Sequence, residues 1–264
     1  MSERLVSDRL SDNLTRLRLV RTREILPELV KTAESENWSY LTLLDRLLDE
    51  EVVVKEQKRI ATVLKTSGLP YVKSIDEFDF AFQPQIDRRQ VMSLFDLTFL
   101  DRKENVIFLG PPGVGKTHLA GALAVKAAQC GHTIHFTTMS DLIRRLKMDR
   151  DTGHIGRNRR PYQWSNLVVV DEVGYTPIDR EECNLFYQFV AMRYEKMSTI
   201  ITSNKAFDEW SELFHDPVIV TAILDRLLHH SVVINIKGNS FRLRGKLKEE
   251  PVGNDVQEEV TPDN

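Results

Sequence analysis

Cysteine is scarce in this chain of 264 residues, which contains only two. Cys130 and Cys183 lie far apart, so they do not form the closely spaced pairs that are typical of a structural metal site. We therefore expect both thiols to be reduced and to lie in helices.

Long apolar runs are also missing. No stretch approaches the roughly 20 consecutive apolar residues that a membrane-spanning helix needs. The first residues, "MSERLVSDRL", are charged and periodic, which is not typical of a signal peptide. These features predict a cytoplasmic protein without a membrane partner.

An excess of positive charge is missing as well, since the formal net charge is −3. The charge is unevenly distributed, however. The segment from Leu142 to Arg160 has seven basic residues against two acidic ones, whereas residues 245–264 are acidic. The net charge alone would not indicate a polyanionic partner, but the clustered basic segment does.

Residues 1–68 are predicted to form a helical N-terminal domain. A long helix begins after Ser39, a suitable N-cap, and ends near Gly68. The part up to Asn37 is also predicted to be helical, with an interruption at Pro27. Four apolar residues of the long helix recur at spacings of three and four, which predicts one buried face. They are Leu41, Leu44, Leu48 and Val52.

Residues 69–244 show a different pattern. Short apolar runs ("NVIFL", "TIHF", "NLVVVD", "TIITSN" and "VVINI") alternate with helical or loop segments. This pattern is typical of buried parallel strands joined by crossovers. The sequence therefore predicts an α/β domain, followed by an acidic, disordered tail at residues 245–264.

A glycine-rich motif, "GPPGVGKT", follows the first of these runs and opens a helix. It matches the pattern G-x-x-x-x-G-K-[ST], in which backbone N–H groups cradle phosphates, the lysine reaches the β and γ phosphates, and the hydroxyl binds Mg²⁺. The helix N-terminus adds its positive end. We therefore predict a site for a nucleotide and Mg²⁺. Its residues are Gly110, Pro111, Pro112, Gly113, Val114, Gly115, Lys116, Thr117 and His118.

Two acidic residues, Asp171 and Glu172, lie at the end of the apolar run in "NLVVVDEVGY". Buried carboxylates need partners, so two adjacent ones at the end of a buried strand indicate a role in binding or catalysis. Asp171 is expected to hold Mg²⁺ through water, and Glu172 to polarise the attacking water.

Polar residues also end the run "TIITSN", where Thr202, Ser203 and Asn204 follow one another. A polar end on an apolar strand indicates the crevice in which α/β sheets bind ligands. We expect Asn204 to orient water near the γ-phosphate.

A GTPase is an alternative reading of these motifs. "DEVG" fits D-x-x-G, and "SNKAFD" resembles the guanine-reading N-K-x-D, although Phe207 stands where the acid should be. A small-molecule kinase is a further alternative, but no acceptor-binding segment is evident.

Taken together, "GPPGVGKTHLA", "LVVVDEVGYTP", "TIITSNKAFDEW" and "AILDRLLHHSVVINIKGNSFRLR" resemble the IstB-like transposition helper ATPases. These are AAA+ proteins related to bacterial helicase loaders and replication initiators. The resemblance implies an AAA+ core with a small helical N-terminal domain. It also implies ATP hydrolysis, assembly into a homo-oligomer with ATP at subunit interfaces, binding to duplex DNA and assistance to a transposase.

The same resemblance assigns further residues. Arg226 matches the arginine finger that acts on a neighbouring subunit's ATP, and Arg242 matches the second sensor position, with Arg244 as the alternative.

Adjacent histidines on a helix face different directions, so His229 and His230 are not expected to bind metal. Few residues follow the last strand, so the C-terminal helical lid of AAA+ proteins is expected to be absent or minimal.

Two alternative functions remain open at this point: a helicase loader acting in replication, and a nucleotide-gated interaction protein with little turnover. If the chain binds DNA, the basic segment is the candidate surface, through Arg157, Arg159 and Arg160. Nothing in this segment resembles a base-reading helix, so phosphate contacts with little sequence preference are expected.

Overall fold

The computed structural model describes residues 3–153, 160–214 and 216–241. The chain divides into two compact units. One consists of Met1–Gly68 with Ala128–Gly131, and the other of Leu69–Ala127 with His132–Asn264. Among the described helices, none combines the length and apolar character needed to cross a membrane.

The first unit contains three helices. They are α1 (Glu3–Arg16), α2 (Val20–Ser35) and α3 (Tyr40–Thr66). Helices α1 and α2 end at residues in the left-handed region, Arg18 (φ 57°) and Asn37 (φ 52°). The next N–H in each case, from Leu19 or Trp38, donates to a carbonyl five residues back, which closes the helix end. The Ser39 hydroxyl accepts from the Thr42 N–H and caps α3, as its position suggested.

Pro27 does not interrupt the helix as expected. It lies inside α2, and the break in this region occurs instead at residues 17–19, where Arg18 adopts the left-handed conformation. The left-handed residue, which reverses the chain direction, ends α1 before Pro27 is reached.

The predicted buried face of α3 is also wrong. Its four apolar residues are between 51% and 78% exposed. The buried positions are Leu47 and Glu51, which face α2. The Thr22 N–H donates to Glu51 Oε2 at 2.8 Å, and the Thr22 hydroxyl donates to the Leu47 carbonyl at 3.2 Å. These hydrogen bonds orient α3 with a partly polar face inward and leave the apolar row Leu41, Leu44, Leu48 and Val52 uncovered among the described residues.

The second unit contains a five-stranded sheet and its flanking helices. The strands are β1 (Asn105–Leu109), β2 (Ile134–Thr138), β3 (Leu167–Val173), β4 (Ser198–Ser203) and β5 (Ser231–Asn235). The helices are α4 (Arg88–Ser93), α5 (Thr98–Asp101), α6 (Lys116–Gln129), α7 (Met139–Asp151), α8 (Pro161–Trp164), α9 (Arg180–Arg193), α10 (Trp210–Phe214) and α11 (Pro217–His229). Short 3-10 helices occupy Ile75–Glu77, Leu94–Asp96 and Phe207–Glu209.

All strand pairs are parallel, in the order β2-β3-β4-β1-β5. The β-branched and aromatic residues of β1 are buried along its whole length, as expected for a strand covered on both faces. The order makes β3, β4 and β1 neighbours, so their carboxyl ends meet at one edge, where α/β sheets bind ligands. The predicted parallel α/β core is thereby confirmed. The expectation of a minimal C-terminal lid concerns residues 237–264, of which 242–264 lie outside the described residues.

One charged side chain, Arg193 at the end of α9, is almost completely buried. Its guanidinium donates to the carbonyls of Ser198 (2.6 Å), Ser165 (3.1 Å) and Tyr162 (3.2 Å). Burial lowers its pKa to about 9. These carbonyls precede or begin β3 and β4, so Arg193 links the amino ends of two neighbouring strands.

Candidate nucleotide-binding site

The loop of residues 110–115 joins β1 to α6 at the carboxyl edge of the sheet, and Lys116 and Thr117 begin the helix. Gly115 adopts φ 102°, and a Cβ there would lie 2.5 Å from the Phe78 ring. Only glycine fits this conformation in this space. The loop therefore packs on Phe78 while its backbone turns towards the N-terminus of α6.

Lys116 is buried, and its ammonium group donates to the carbonyls of Gly110 (2.6 Å) and Pro111 (2.9 Å). The hydroxyl of the next residue, Thr117, donates to both carboxylate oxygens of Asp171, at 3.0 and 3.1 Å. The two motifs recognised in the sequence thus meet: the glycine-rich loop and the acidic end of β3 share a hydrogen bond.

The acidic end of β3 is irregular. The register between β3 and β4 shifts between Val170 and Val173, and Glu172 adopts φ 62°. A glutamate in the left-handed conformation costs free energy, so it persists only where neighbouring groups stabilise it. Such irregularities are frequent beside functional sites. Here the strand buries Asp171 and turns Glu172 outward to solvent.

Thr202 on β4 holds this irregular segment in place. Its hydroxyl accepts from the Glu172 N–H at 3.1 Å and donates to Asp171 Oδ1. One side chain therefore fixes both acidic residues. The sequence indicated that the end of β4 is polar, but it did not single out Thr202, because the pairing of β3 with β4 is visible only in the fold.

These residues line a cavity of about 390 Å³. The loop contributes Gly113, Val114, Gly115, Lys116, Thr117 and His118, and the strands contribute Asp171, Glu172 and Thr202. Gly110, Pro111 and Pro112 shape the turn but are not part of the lining. A cavity of this size is in the range that holds small-molecule ligands and cofactors.

Aromatic side chains from the segment before β1 form another wall of the cavity. Tyr71, Phe78 and Phe82 line it, whereas Phe80 is not part of the lining and contacts the Phe78 ring. The His118 ring meets Phe78 edge-on with centroids 5.4 Å apart, and its Nε2 lies 3.0 Å from the Ser74 carbonyl oxygen. His118 therefore joins the helix carrying Lys116 to this aromatic wall.

Asn204 and Arg226 do not line the cavity of their own chain. Asn204 follows β4, and its Oδ1 is buried without a hydrogen-bond partner among the described residues. The Arg226 guanidinium lies 4.9 Å from the centre of the Tyr187 ring and donates to the Ala222 carbonyl at 3.0 Å. Arg242 and the alternative Arg244 lie outside the described residues.

The basic segment is largely neutralised where it is described. Arg144 pairs with Asp141 at 2.7 Å, and Lys147 pairs with Glu182 at 2.8 Å. Arg160 pairs with Asp149 at 2.8 Å, and Asp149 also accepts from the Tyr162 hydroxyl. These three ion pairs reduce the charge that is free for a polyanion. Arg157 and Arg159 lie outside the described residues.

Comparisons with known proteins identify the family. The model of the IstB-like ATP-binding proteins matches residues 12–249. The chain is 42% identical over 245 residues to the ATP-binding protein of insertion sequence IS5376 from Geobacillus stearothermophilus, covering 93% of this chain and 98% of the relative. It is 44% identical over 235 residues to that of IS21 from Pseudomonas aeruginosa, covering 89% of each.

Solved structures share the fold. AMPPCP-bound DnaA from Aquifex aeolicus aligns with a TM-score of 0.54 and 19% identity, covering 69% of this chain and 56% of the DnaA chain. DnaI aligns with a TM-score of 0.51 and 19% identity, covering 62% and 90%.

The family match rules out the GTPase reading, in which Glu172 would have had no assigned role. The five-stranded parallel sheet agrees with the fold shared with the solved structures. The chain therefore belongs to the IstB-like ATP-binding proteins of IS21-type insertion sequences, which are ATPases with the AAA+ fold.

Proposed function

We propose that this chain binds ATP and Mg²⁺ in the cavity beside Lys116, hydrolyses ATP at an interface between copies of itself, and thereby assembles on duplex DNA to assist a transposase. The single observation that carries the proposal is the convergence of Lys116, Thr117, Asp171, Glu172 and Thr202 on one cavity. A cytoplasmic location follows from a role on DNA.

The donor groups in the cavity fit ATP and Mg²⁺. Thr117 and Asp171 offer a hydroxyl and a carboxylate within 3.1 Å of each other, and such hard oxygen donors suit Mg²⁺. The Lys116 ammonium donates to the carbonyls of Gly110 and Pro111, and a phosphate would attract it more strongly than these neutral groups do. Bound Mg²⁺ would neutralise charge that develops on the phosphates.

Glu172 is the proposed general base. Its outward turn leaves the carboxylate solvated and next to the cavity, where it can accept a proton from an attacking water. Thr202 is a positioning residue, because its hydroxyl holds the Glu172 backbone and Asp171 together. Asn204 is proposed to orient the water, since its buried Oδ1 has a hydrogen-bonding capacity that the described residues leave unused.

Arg226 is proposed to act on the ATP of a neighbouring copy. It lies outside the cavity lining of its own chain, so a role at the γ-phosphate requires a second chain. The exposed apolar row on α3 supports self-association too, because rows of this kind mark protein–protein contacts when they form one continuous patch.

The transposase and DNA parts of the proposal rest on the relatives. Those at about 40% identity are named as ATP-binding proteins of insertion sequences, whereas the replication initiator DnaA shares the fold at 19% identity. This difference favours transposition over a role in replication such as helicase loading. Turnover is favoured over simple nucleotide gating because the exposed Glu172 and the Thr202 hydroxyl group both line the cavity.

The decisive experiment measures ATP hydrolysis with and without duplex DNA. Glu172→Gln should retain ATP binding and lose hydrolysis, because an amide cannot act as a base, whereas Lys116→Ala should lose binding. Mixtures of Arg226→Ala with Lys116→Ala protein should regain part of the activity, because some interfaces then hold one intact site. Native hydrolysis by Glu172→Gln, or no recovery in mixtures that still assemble, contradicts the proposal.

DNA binding needs a separate test because Arg160 is already paired with Asp149. The double variant Arg157→Ala/Arg159→Ala should weaken binding to all duplexes equally and flatten the salt dependence, which has a slope of roughly −0.9 per phosphate neutralised. Arg160→Ala alone serves as the comparison and should have the smaller effect. Normal binding by the double variant across a salt titration would exclude this segment as the DNA contact.

A further inference from the structure

Two adjacent histidines, His229 and His230, lie together at the end of α11. On a continuous helix they would face different directions, and the sequence therefore argued against a joint role. The helix ends at His229, however, and His230 adopts φ −128° and ψ 88°. This change in the backbone brings the two imidazole rings to a centroid distance of 4.0 Å.

A carboxylate faces the pair. Glu195 Oε1 lies 3.7 Å from His230 Nε2 and 4.0 Å from His229 Nδ1. Glu195 sits in the turn between α9 and β4 with φ 57°, a conformation that glycine or asparagine would adopt with less strain.

We propose that Glu195, His229 and His230 bind a divalent transition-metal ion such as Zn²⁺. Their donor atoms all lie within 4.8 Å of one another, and among the described residues this is the group of three that meets that condition. Two imidazoles and one carboxylate are ligands that Zn²⁺ accepts in tetrahedral sites.

Only a small movement is needed to complete the site. Ligand atoms around tetrahedral Zn²⁺ lie about 3.3 Å apart, given its bond lengths of roughly 2.0–2.1 Å. The three side chains are about half exposed, so their rotamers can adjust at little cost. The negative end of the α11 dipole also favours a cation at this position. A fourth coordination position is left for water.

Tyr194 competes with the ion. Its hydroxyl lies 2.6 Å from His229 Nδ1, so metal binding at that nitrogen must break this hydrogen bond. Removing the hydroxyl should therefore tighten binding. A bound ion would connect the end of α11 to the turn after α9. His229 lies one helical turn after Arg226, so any effect of the ion on hydrolysis would rest on the function proposed for Arg226.

The test uses the full chain without a histidine tag, in a Cys130→Ser background that removes the exposed thiol. Zn²⁺ is titrated calorimetrically without nucleotide and with excess Mg²⁺, so that hard-ligand sites are filled. One ion per chain is expected. Affinity should fall more than about tenfold in His229→Ala and in His230→Ala, and also in Glu195→Gln. Tyr194→Phe should bind roughly fivefold tighter, the equivalent of one neutral hydrogen bond.

The control is His132→Ala, which removes a histidine elsewhere and should bind as the parent does. A second measurement checks folding: Zn²⁺ should raise the Tm of the parent and of the control, but not that of His229→Ala or His230→Ala. Unchanged affinity in both histidine variants, or no saturable Zn²⁺ binding by the parent, would overturn the proposal.

Discussion

The ATPase core and the helical unit bury their side chains in opposite ways. In the core, β1 is buried along its full length, and even the charged Arg193 donates hydrogen bonds to buried carbonyl groups. In the helical unit, α3 turns Leu47 and Glu51 inward and leaves an apolar row outside. The core thus covers its apolar strands within the same chain, whereas the helical unit leaves an apolar row exposed among the described residues.

The largest effect on the free energy of unfolding is expected from removing the buried guanidinium of Arg193. Arg193→Met should lower the free energy of unfolding by about 3–5 kcal/mol, because the strand-end carbonyls lose their donor while remaining buried. Hydrogen exchange of β3 and β4 amides measures this loss region by region. The exposed Arg180→Met, which removes only the surface ion pair with Asp216, is the control and should cost less than about 1 kcal/mol. A loss of that smaller size in Arg193→Met would show that the carbonyls find other partners.

A somewhat smaller effect is expected from His135, which lies buried on β2. Burial, together with the charges of Arg145 and Arg193, lowers its pKa to about 4 from an ordinary 6.5. The unfolded chain therefore takes up a proton below pH 6.5 while the folded chain does not. Stability from this residue is complete above pH 6.5 and declines as the pH falls towards 4, by at most about 3 kcal/mol.

This pH dependence is measured as the difference between the parent and His135→Gln, since other groups titrate equally in both. The variant should lose the part of the slope between pH 6.5 and 4. Identical slopes would mean that folding does not lower the pKa of His135.

In the helical unit, the buried polar contact is the one between Glu51 and Thr22, and we expect its loss to cost less than the loss of Arg193 or His135. Burial acts to raise the pKa of Glu51, but the hydrogen bonds from Thr22 outweigh it, so the pKa is lowered overall. A lowered pKa means that the contribution is present above the unfolded value and is lost as the pH falls through the folded one. Glu51→Gln should cost about 1–2 kcal/mol at neutral pH. Glu50→Gln, which affects an exposed pair with Arg21, is the control for urea unfolding, and equal losses would refute the difference.

The sequence was more informative in the core than in the helical unit, because the core strands are covered on both faces within the same chain. Strands buried on both faces appear as continuous apolar runs, and the glycine-rich loop has a fixed spacing, so β1, the loop and Asp171 were all predictable. Thr202 was not, because its role depends on which strands are neighbours. The face of α3 was not predictable either, since periodicity marks an apolar row without showing whether the same chain covers it.

The smallest effect on folding is expected from the apolar row of α3, and the comparison depends most on this result. Leu44→Glu/Leu48→Glu places charge at two exposed positions, and glutamate is nearly as good a helix former as leucine. The free energy of unfolding should change by less than about 0.5 kcal/mol per site. Self-association with ATP, measured by sedimentation velocity, should nevertheless be lost, because a desolvated interface cannot accept unpaired carboxylates. Leu17→Glu, an equally exposed leucine before α2, is the control and should associate normally. Normal association of the double variant would show that the row serves a different partner, whereas a large loss of stability would show that the helical unit buries the row itself.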